Sequence, residues 1–250
     1  MIKYSAPKGC QNKIVSYGPL LSMKRLYFLL LLCLSSAWAE TPDSPYLQHA
    51  QEGDSRAQFY LADTLFSAGE YQQAESWAAK SAAQGDADAM ALLAQLKIHD
   101  PANGDYQQAK SLAEQAVAHG SKPGSVVLAR ILVNTQAGKP DYSKAMQLLE
   151  SASQDIESDS AVDAQMFYGM LYANGVGVVQ DDDKAAFWFK RSSALSRTGY
   201  AEYWAGMLFL NGEKGFIATN KQKALHWLNV SCTEGFDTGC EEFEEISNGG

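Results

Sequence analysis

A short pattern recurs five times along the 250 residues and limits the fold more than any other feature of the sequence. Each copy centres on an alanine that follows Lys or Gln, at intervals of 35, 36, 40 and 39 residues: Ala74, Ala109, Ala145, Ala185 and Ala224. Three residues later comes a large apolar side chain: Trp77, Leu112, Leu148, Trp188 and Trp227. Because positions three apart share one face of an α-helix, the pattern predicts a helix that buries both residues in every copy.

A set of small residues upstream of these alanines predicts a second helix in each unit. The set is Ala62, Ala94, Ala129, Gly169 and Gly206, with another small residue five positions earlier: Ala57, Ala89, Gly124, Ala164 and Ala201. Small side chains let two helix backbones approach closely. A helix pair cannot bury its apolar face alone, so consecutive pairs must stack. The sequence therefore predicts an all-α fold, an α/α superhelix (solenoid) of about five helix-turn-helix units, each contacting only its neighbours.

The loop between the two helices of the fourth unit has a distinctive sequence. It reads Asn-Gly-Val-Gly-Val over residues 174–178 and is followed by Asp181, by Lys184 and Ala185, and by Trp188. This arrangement resembles the signature of the Sel1-like repeats, relatives of the tetratricopeptide repeats. The resemblance implies a solenoid in which the first helix of each unit lines the concave side.

The resemblance covers roughly residues 50–246, but unevenly. The fifth unit keeps Gly206, Gly212 and Trp227, yet has Glu-Lys-Gly-Phe over residues 213–216 in its loop. Units one to three are closer to plain tetratricopeptide repeats. We expect the solenoid to span residues 53–246, with a capping helix over 236–246 and a flexible tail over 247–250.

The first 39 residues have the features of a leader that ends in a signal peptide. Lys24 and Arg25 precede a nine-residue apolar run, Leu26–Leu34, and Ala-Trp-Ala over residues 37–39 is typical of a cleavage site. The functional start is then Met23. An apolar run this short is less than the roughly 20 residues that cross a bilayer. We therefore expect cleavage between Ala39 and Glu40, a periplasmic or secreted protein with no membrane-spanning segment, and an N-terminal segment over residues 40–52.

The charge balance of the remaining chain restricts its partners. Residues 1–39 carry five basic and no acidic residues, which leaves 15 basic and 29 acidic residues after residue 39. Nucleic acids and anionic membranes both require basic patches. We therefore expect neither as a partner, and we expect a monomer that binds a protein or peptide.

Two cysteines, Cys232 and Cys240, remain after the leader. An oxidising compartment favours a disulfide between them. The alternative, a metal site, would have too few ligands, because no histidines cluster nearby. The pair also resembles that of the secreted cysteine-rich branch of the family, which implies a disulfide that links the last unit to the capping helix.

Catalytic patterns are sparse. The one Ser-x-x-Lys spacing, Ser5 to Lys8, falls in the leader, and the four histidines lie in different units. The acidic run over residues 181–183 precedes a helix and is typical of a cap. We therefore expect no catalytic residue, metal or cofactor. Two alternatives stay open: an envelope enzyme that acts on cell-wall peptides or β-lactams, and a purely structural spacer.

One position on the first helix of each unit suggests a binding surface. It lies two residues before the small residue and is apolar in all five units: Tyr60, Leu92, Val127, Phe167 and Trp204. Residues three positions further on would extend the same face, namely Asp63, Gln95, Arg130, Met170 and Met207, and of these Arg130, Met170 and Met207 are expected to bind the partner. Either these side chains pack against the next unit, or they form an open apolar groove. The second interpretation favours a scaffold that binds a protein or peptide partner through its concave face.

Overall fold

The computed structural model describes residues 45–99, 104–154, 156, 159–196 and 198–248. Within these ranges the chain forms twelve α-helices and one 3-10 turn, and its only β-type pairing is an isolated bridge between Glu213 and Ile217. The predicted all-α solenoid is confirmed. The predicted leader, its cleavage site and residues 40–44 lie outside the described residues, as do residues 249 and 250.

The helices form five two-helix units between a short first helix and a last capping helix. Helix α1 is Leu47–Gln51 and α12 is Asp237–Asn248. The units are α2 and α3 (Ser55–Ser67, Tyr71–Ala83), α4 and α5 (Ala87–Ile98, Tyr106–Ala118), α6 and α7 (Lys122–Val133, Tyr142–Ser153), α8 and α9 (Asp159–Asn174, Asp182–Leu195), and α10 and α11 (Tyr200–Asn211, Lys221–Thr233). A 3-10 turn, Thr135–Ala137, lies within unit three. Helices pack chiefly within their unit and against the unit that follows.

Polar side chains at the helix starts explain why the helices begin where they do. Side-chain oxygens accept hydrogen bonds from free backbone N–H groups at seven starts: Asp54, Asp86, Asp105, Ser121, Asp141, Asp181 and Asn220. Asp181, the first residue of the acidic run, accepts from the Lys184 N–H at 3.0 Å. That hydrogen bond lowers the pKa of Asp181. The run therefore begins with a helix cap.

The small residues in the first helices allow close packing against the second helices. A Cβ atom at Gly169 would overlap the ring of Phe189, and one at Gly206 would lie 2.6 Å from Cγ of Leu228. Any larger side chain would push the two helices of the unit apart. The predicted helix-turn-helix packing follows from this steric requirement.

The residue three positions after each repeat alanine was predicted to be core, but it is not buried in every unit. Trp227 is buried, but Trp188 is only half-buried and stacks on Tyr168 with the ring centroids 4.6 Å apart. The residue four positions after the alanine is fully buried in every unit: Ala78, Ala113, Leu149, Phe189 and Leu228. At 3.6 residues per turn this position points more directly at the paired helix.

Short elements close both ends of the described solenoid. Helix α1 packs on unit one, where Gln58 donates to the Ala50 carbonyl at 3.0 Å. At the other end, the Sγ atoms of Cys232 and Cys240 lie 2.01 Å apart, between α11 and α12. Ser247 and Asn248 belong to α12 and not to a tail, because the helix continues to Asn248.

The expectation that each unit contacts only its neighbours is wrong in one place. The loop of unit five, residues 212–220 and called here the brace loop, reaches unit three. The Thr135 N–H donates to the Gly215 carbonyl at 2.9 Å. Unit three and unit five are thus joined across unit four.

None of the described helices combines the length and the apolar composition that crossing a bilayer requires.

Candidate functional site

A cavity of about 350 Å³ lies among the first helices of units three, four and five, next to the brace loop, and two residues of the first helix of unit two also line it. Val127, Phe167 and Met170 supply nearly buried atoms to its wall. Further apolar lining comes from Ile98, Pro123, Met166, Met207 and Leu208. Polar groups lie around it: Gln95, Arg130, Asp163, Asn211 and Glu213. The cavity therefore combines an apolar interior with a polar rim, as ligand and peptide sites do.

The structure brings together six of the eight residues predicted to bind a partner. These six line the cavity: Val127, Arg130, Phe167, Met170, Trp204 and Met207. Leu92 and Tyr60 do not. Leu92 is only 6% exposed and packs in the core of units one and two. Tyr60 is exposed at the other end of the solenoid, stacked on Tyr46 with the ring centroids 5.0 Å apart.

The residues of the stripe therefore do not form a single apolar groove along all five units. Leu92, Val127 and Phe167 are each less than 9% exposed. The two sequence interpretations each hold for part of the stripe. Leu92 in unit two packs as core and Tyr60 in unit one is exposed outside the cavity, whereas between units three and five the stripe borders an open cavity.

Trp204 is 47% exposed and lines the cavity, whereas Tyr60, the other exposed residue of the stripe, does not line it. Helix α12 packs chiefly against α11, the second helix of unit five. The indole ring contacts Tyr200 and Tyr203 edge-on, at centroid distances of 6.2 and 5.7 Å. It is thus a large aromatic surface held in place beside the cavity.

Arg130 is paired within the protein and is not a free contact for a partner. Its Nε and Nη2 atoms donate to the two carboxylate oxygens of Glu213 at 3.2 and 2.7 Å. Glu213 is mostly buried, and a bidentate pair of this kind is geometrically specific. Nearby, burial and then the Glu213 charge raise the pKa of Tyr106. The ion pair therefore fixes the brace loop at the edge of the cavity.

Hydrogen bonds and a ring contact hold the rest of the brace loop. Asn134 Nδ2 donates to the Lys214 carbonyl at 3.1 Å, and Asn174 Nδ2 donates to the Phe216 carbonyl at 3.2 Å. The Phe216 ring stacks on Phe167 at 5.2 Å. The sequence showed that this loop departs from the repeat signature, and the aromatic Phe216 within it was a signal of burial. The residues that it contacts could not be read from the sequence.

The lining of the cavity is mostly apolar. Its lining holds no Ser, Thr, Cys, His or Lys side chain. Over the described ranges, no three His, Cys, Asp or Glu residues come together as metal ligands. All four histidines are exposed, at residues 49, 99, 119 and 226. What the site offers is apolar surface, one exposed indole and a polar rim.

Comparison with known families gives matches over most of the solenoid. A family model described as Sel1 repeat matches residues 55–86, 87–121, 135–155, 162–196 and 199–236. The third match leaves out α6, the first helix of unit three, which supplies Val127 and Arg130 to the cavity. The five matches otherwise follow the five structural units.

Individual proteins with similar sequences and structures carry the same description. The Sel1-repeat-containing protein YjcO of Escherichia coli strain K12 is 65% identical over 229 residues, which cover 91% of this chain and 100% of that protein. A crystal structure of a Sel1 repeat protein from Klebsiella pneumoniae has 66% identity and a TM-score of 0.78, covering 82% of this chain and 98% of the other. A Sel1 repeat protein from Oxalobacter formigenes, at 24% identity and a TM-score of 0.50 over 74% of each chain, shares the fold.

Proposed function

This chain belongs to the Sel1 repeat family, and from that premise we propose that it is an exported scaffold that binds a protein or peptide partner at the cavity between units three and five. The observation that carries the proposal is the combination of the cavity with the half-exposed Trp204 at its edge. Aromatic and methionine side chains are enriched in interfaces, and a single buried tryptophan often dominates the binding energy.

The dimensions and rigidity of the cavity support this function. A volume of about 350 Å³ accommodates one or two large side chains of a partner. The Arg130–Glu213 ion pair and the Phe216–Phe167 stack hold one side of the cavity in place without a ligand. A preformed site costs less ordering entropy when a partner binds, which favours recognition of a short segment.

Photo-crosslinking in living cells tests the proposal. A photoreactive residue replaces Met207, which lies in the cavity, and in a matched strain it replaces Phe187, an exposed aromatic residue on α9 that does not line the cavity. We expect a discrete adduct with one partner from position 207 and none from position 187. Equal labelling from both positions, or no adduct from either, as expected for a structural spacer, would contradict the proposal.

Export is proposed from the leader and from the two cysteines that remain after it. N-terminal sequencing of the protein recovered from the periplasm or the medium should start at Glu40. A protein that keeps residues 1–39 and fractionates with the cytosol would contradict export. The binding proposal does not depend on that result, because the cavity lies wholly within the solenoid.

A further inference from the structure

Trp204 joins the cavity to a second surface at the C-terminal end of the described chain. Its ring lines the cavity and also contacts Tyr200 and Tyr203. Tyr203 in turn contacts Phe236, which directly precedes α12, at a centroid distance of 5.3 Å. The faces of aromatic rings carry partial negative charge and attract cations, tryptophan most strongly.

The segment of the chain that contains this aromatic group is acidic in composition. Residues 198–248 contain eight Asp or Glu residues and three Lys or Arg residues. Helix α12 carries five of the acidic residues and no basic one: Asp237, Glu241, Glu242, Glu244 and Glu245. Burial and then the charge of Glu242, a residue of α12, raise the pKa of Tyr203.

The net charge of the cavity rim is also negative. Its charged residues are Arg130, Glu213 and Asp163, which sum to one negative charge. Arg130 already donates two hydrogen bonds to Glu213, so an anionic partner group could reach this cation only by displacing the internal carboxylate. Asp163 is exposed on α8, at the rim. Electrostatic complementarity therefore disfavours an acidic partner and favours a basic one.

We propose that the segment bound here is a cationic peptide in which a large apolar side chain enters the cavity and an adjacent lysine or arginine lies against Trp204. This inference rests on the proposed function and adds the chemical class of the partner. The apolar side chain contacts Val127, Phe167 and Met170, while the cation faces the indole ring and the acidic α12. The apolar cavity and the cation-binding surface together would distinguish partners better than either does alone.

Selection from a library of random displayed peptides tests this chemistry without knowledge of the natural partner. The purified protein is the bait, and binders that also bind Trp204→Ala are removed. We expect the retained peptides to be enriched in Lys or Arg next to Leu, Ile, Met or aromatic residues, and depleted in Asp and Glu. One retained peptide is then synthesised for calorimetry in low and high salt.

The affinity of that peptide should fall about tenfold or more when its basic residue is changed to glutamate, because the cation–π contact and the charge attraction are both lost. High salt should lower the affinity of the original peptide several-fold, since exposed charges are screened. Asp163→Asn should lower the affinity of the basic peptide. It should lower the affinity less for a version of that peptide with glutamine in place of the basic residue. Phe187→Ala, an exposed aromatic outside the cavity, is the matched control and should leave the affinity unchanged.

Two outcomes would overturn the inference, and they differ in what they say of the proposed function. Retained peptides that are acidic or uncharged would show that the cavity binds peptides but does not select cations. If all peptides bind the wild-type protein and Trp204→Ala equally well, so that none is retained, the inference and the proposed function are both overturned.

Discussion

Replacement of Gly215 by alanine should release the brace loop from unit three. Gly215 has φ = +80°, a conformation that costs alanine about 1–2 kcal/mol. A Cβ atom there would also overlap Oδ1 of Asn134, a buried residue. That oxygen accepts from the Gln136 N–H at 2.8 Å, and Asn134 Nδ2 donates to the Lys214 carbonyl at 3.1 Å.

Displacement of Asn134 would break both hydrogen bonds, each of which contributes about 1 kcal/mol. Gly215→Ala should therefore lower the free energy of unfolding by about 3–4 kcal/mol. Gly69→Ala is the matched control, because Gly69 has the same φ of +80° and no atom near its Cβ position. The control should cost only about 1–2 kcal/mol, the backbone strain alone.

Urea denaturation of the two variants measures these differences, and hydrogen exchange locates them. Because the brace loop bonds to Asn134 and Thr135, Gly215→Ala should increase exchange at the C-terminal end of α6, in unit three. Equal destabilisation by Gly215→Ala and Gly69→Ala, with exchange changed only in units four and five, would refute the contact between units three and five.

Two further predictions concern the C-terminal cysteines and the effect of alkaline pH. Thiol labelling of the denatured, unreduced protein should find no free thiol at Cys232 or Cys240, and reduction should expose both; labelling before reduction would contradict a disulfide. Burial raises the pKa of Tyr168 from 10.0 to about 12, and its hydroxyl donates to the Met146 carbonyl at 2.8 Å. Since folding favours the protonated hydroxyl, this stabilisation is complete below pH 10 and is lost as the pH rises toward 12. In denaturant melts, the free energy of unfolding should therefore decrease less over that range for Tyr168→Phe than for wild type. Equal decreases would contradict the assignment.

Features that depend on local sequence could be predicted. The alanine register and the small residues that include Gly169 specify helix pairs, because a helix repeats its faces every 3.6 residues whatever lies further away. The cap at Asp181 is local in the same sense: its partner, the Lys184 N–H, is three residues along the chain. These signals were sufficient for the fold class.

Features that depend on distant contacts could not be predicted. Arg130 and Glu213 are 83 residues apart, and neither residue belongs to a pattern that indicates the other. Burial along the apolar stripe also depends on what covers each unit. Leu92 and Phe167 are nearly buried, whereas Trp204, at the corresponding position of unit five, is 47% exposed. The repeat register is the same at all three positions and could not distinguish them.

Trp204→Ala shows whether the cavity is the binding site, through its affinity for the partner captured at position 207. Because Trp204 is 47% exposed, its removal should change the free energy of unfolding by no more than about 1 kcal/mol. Binding should nevertheless weaken by about 2 kcal/mol, roughly 30-fold, the scale of an interface anchor. Phe187→Ala should leave the affinity unchanged. If Trp204→Ala binds the partner as tightly as Phe187→Ala does, the cavity between units three and five is not the binding site.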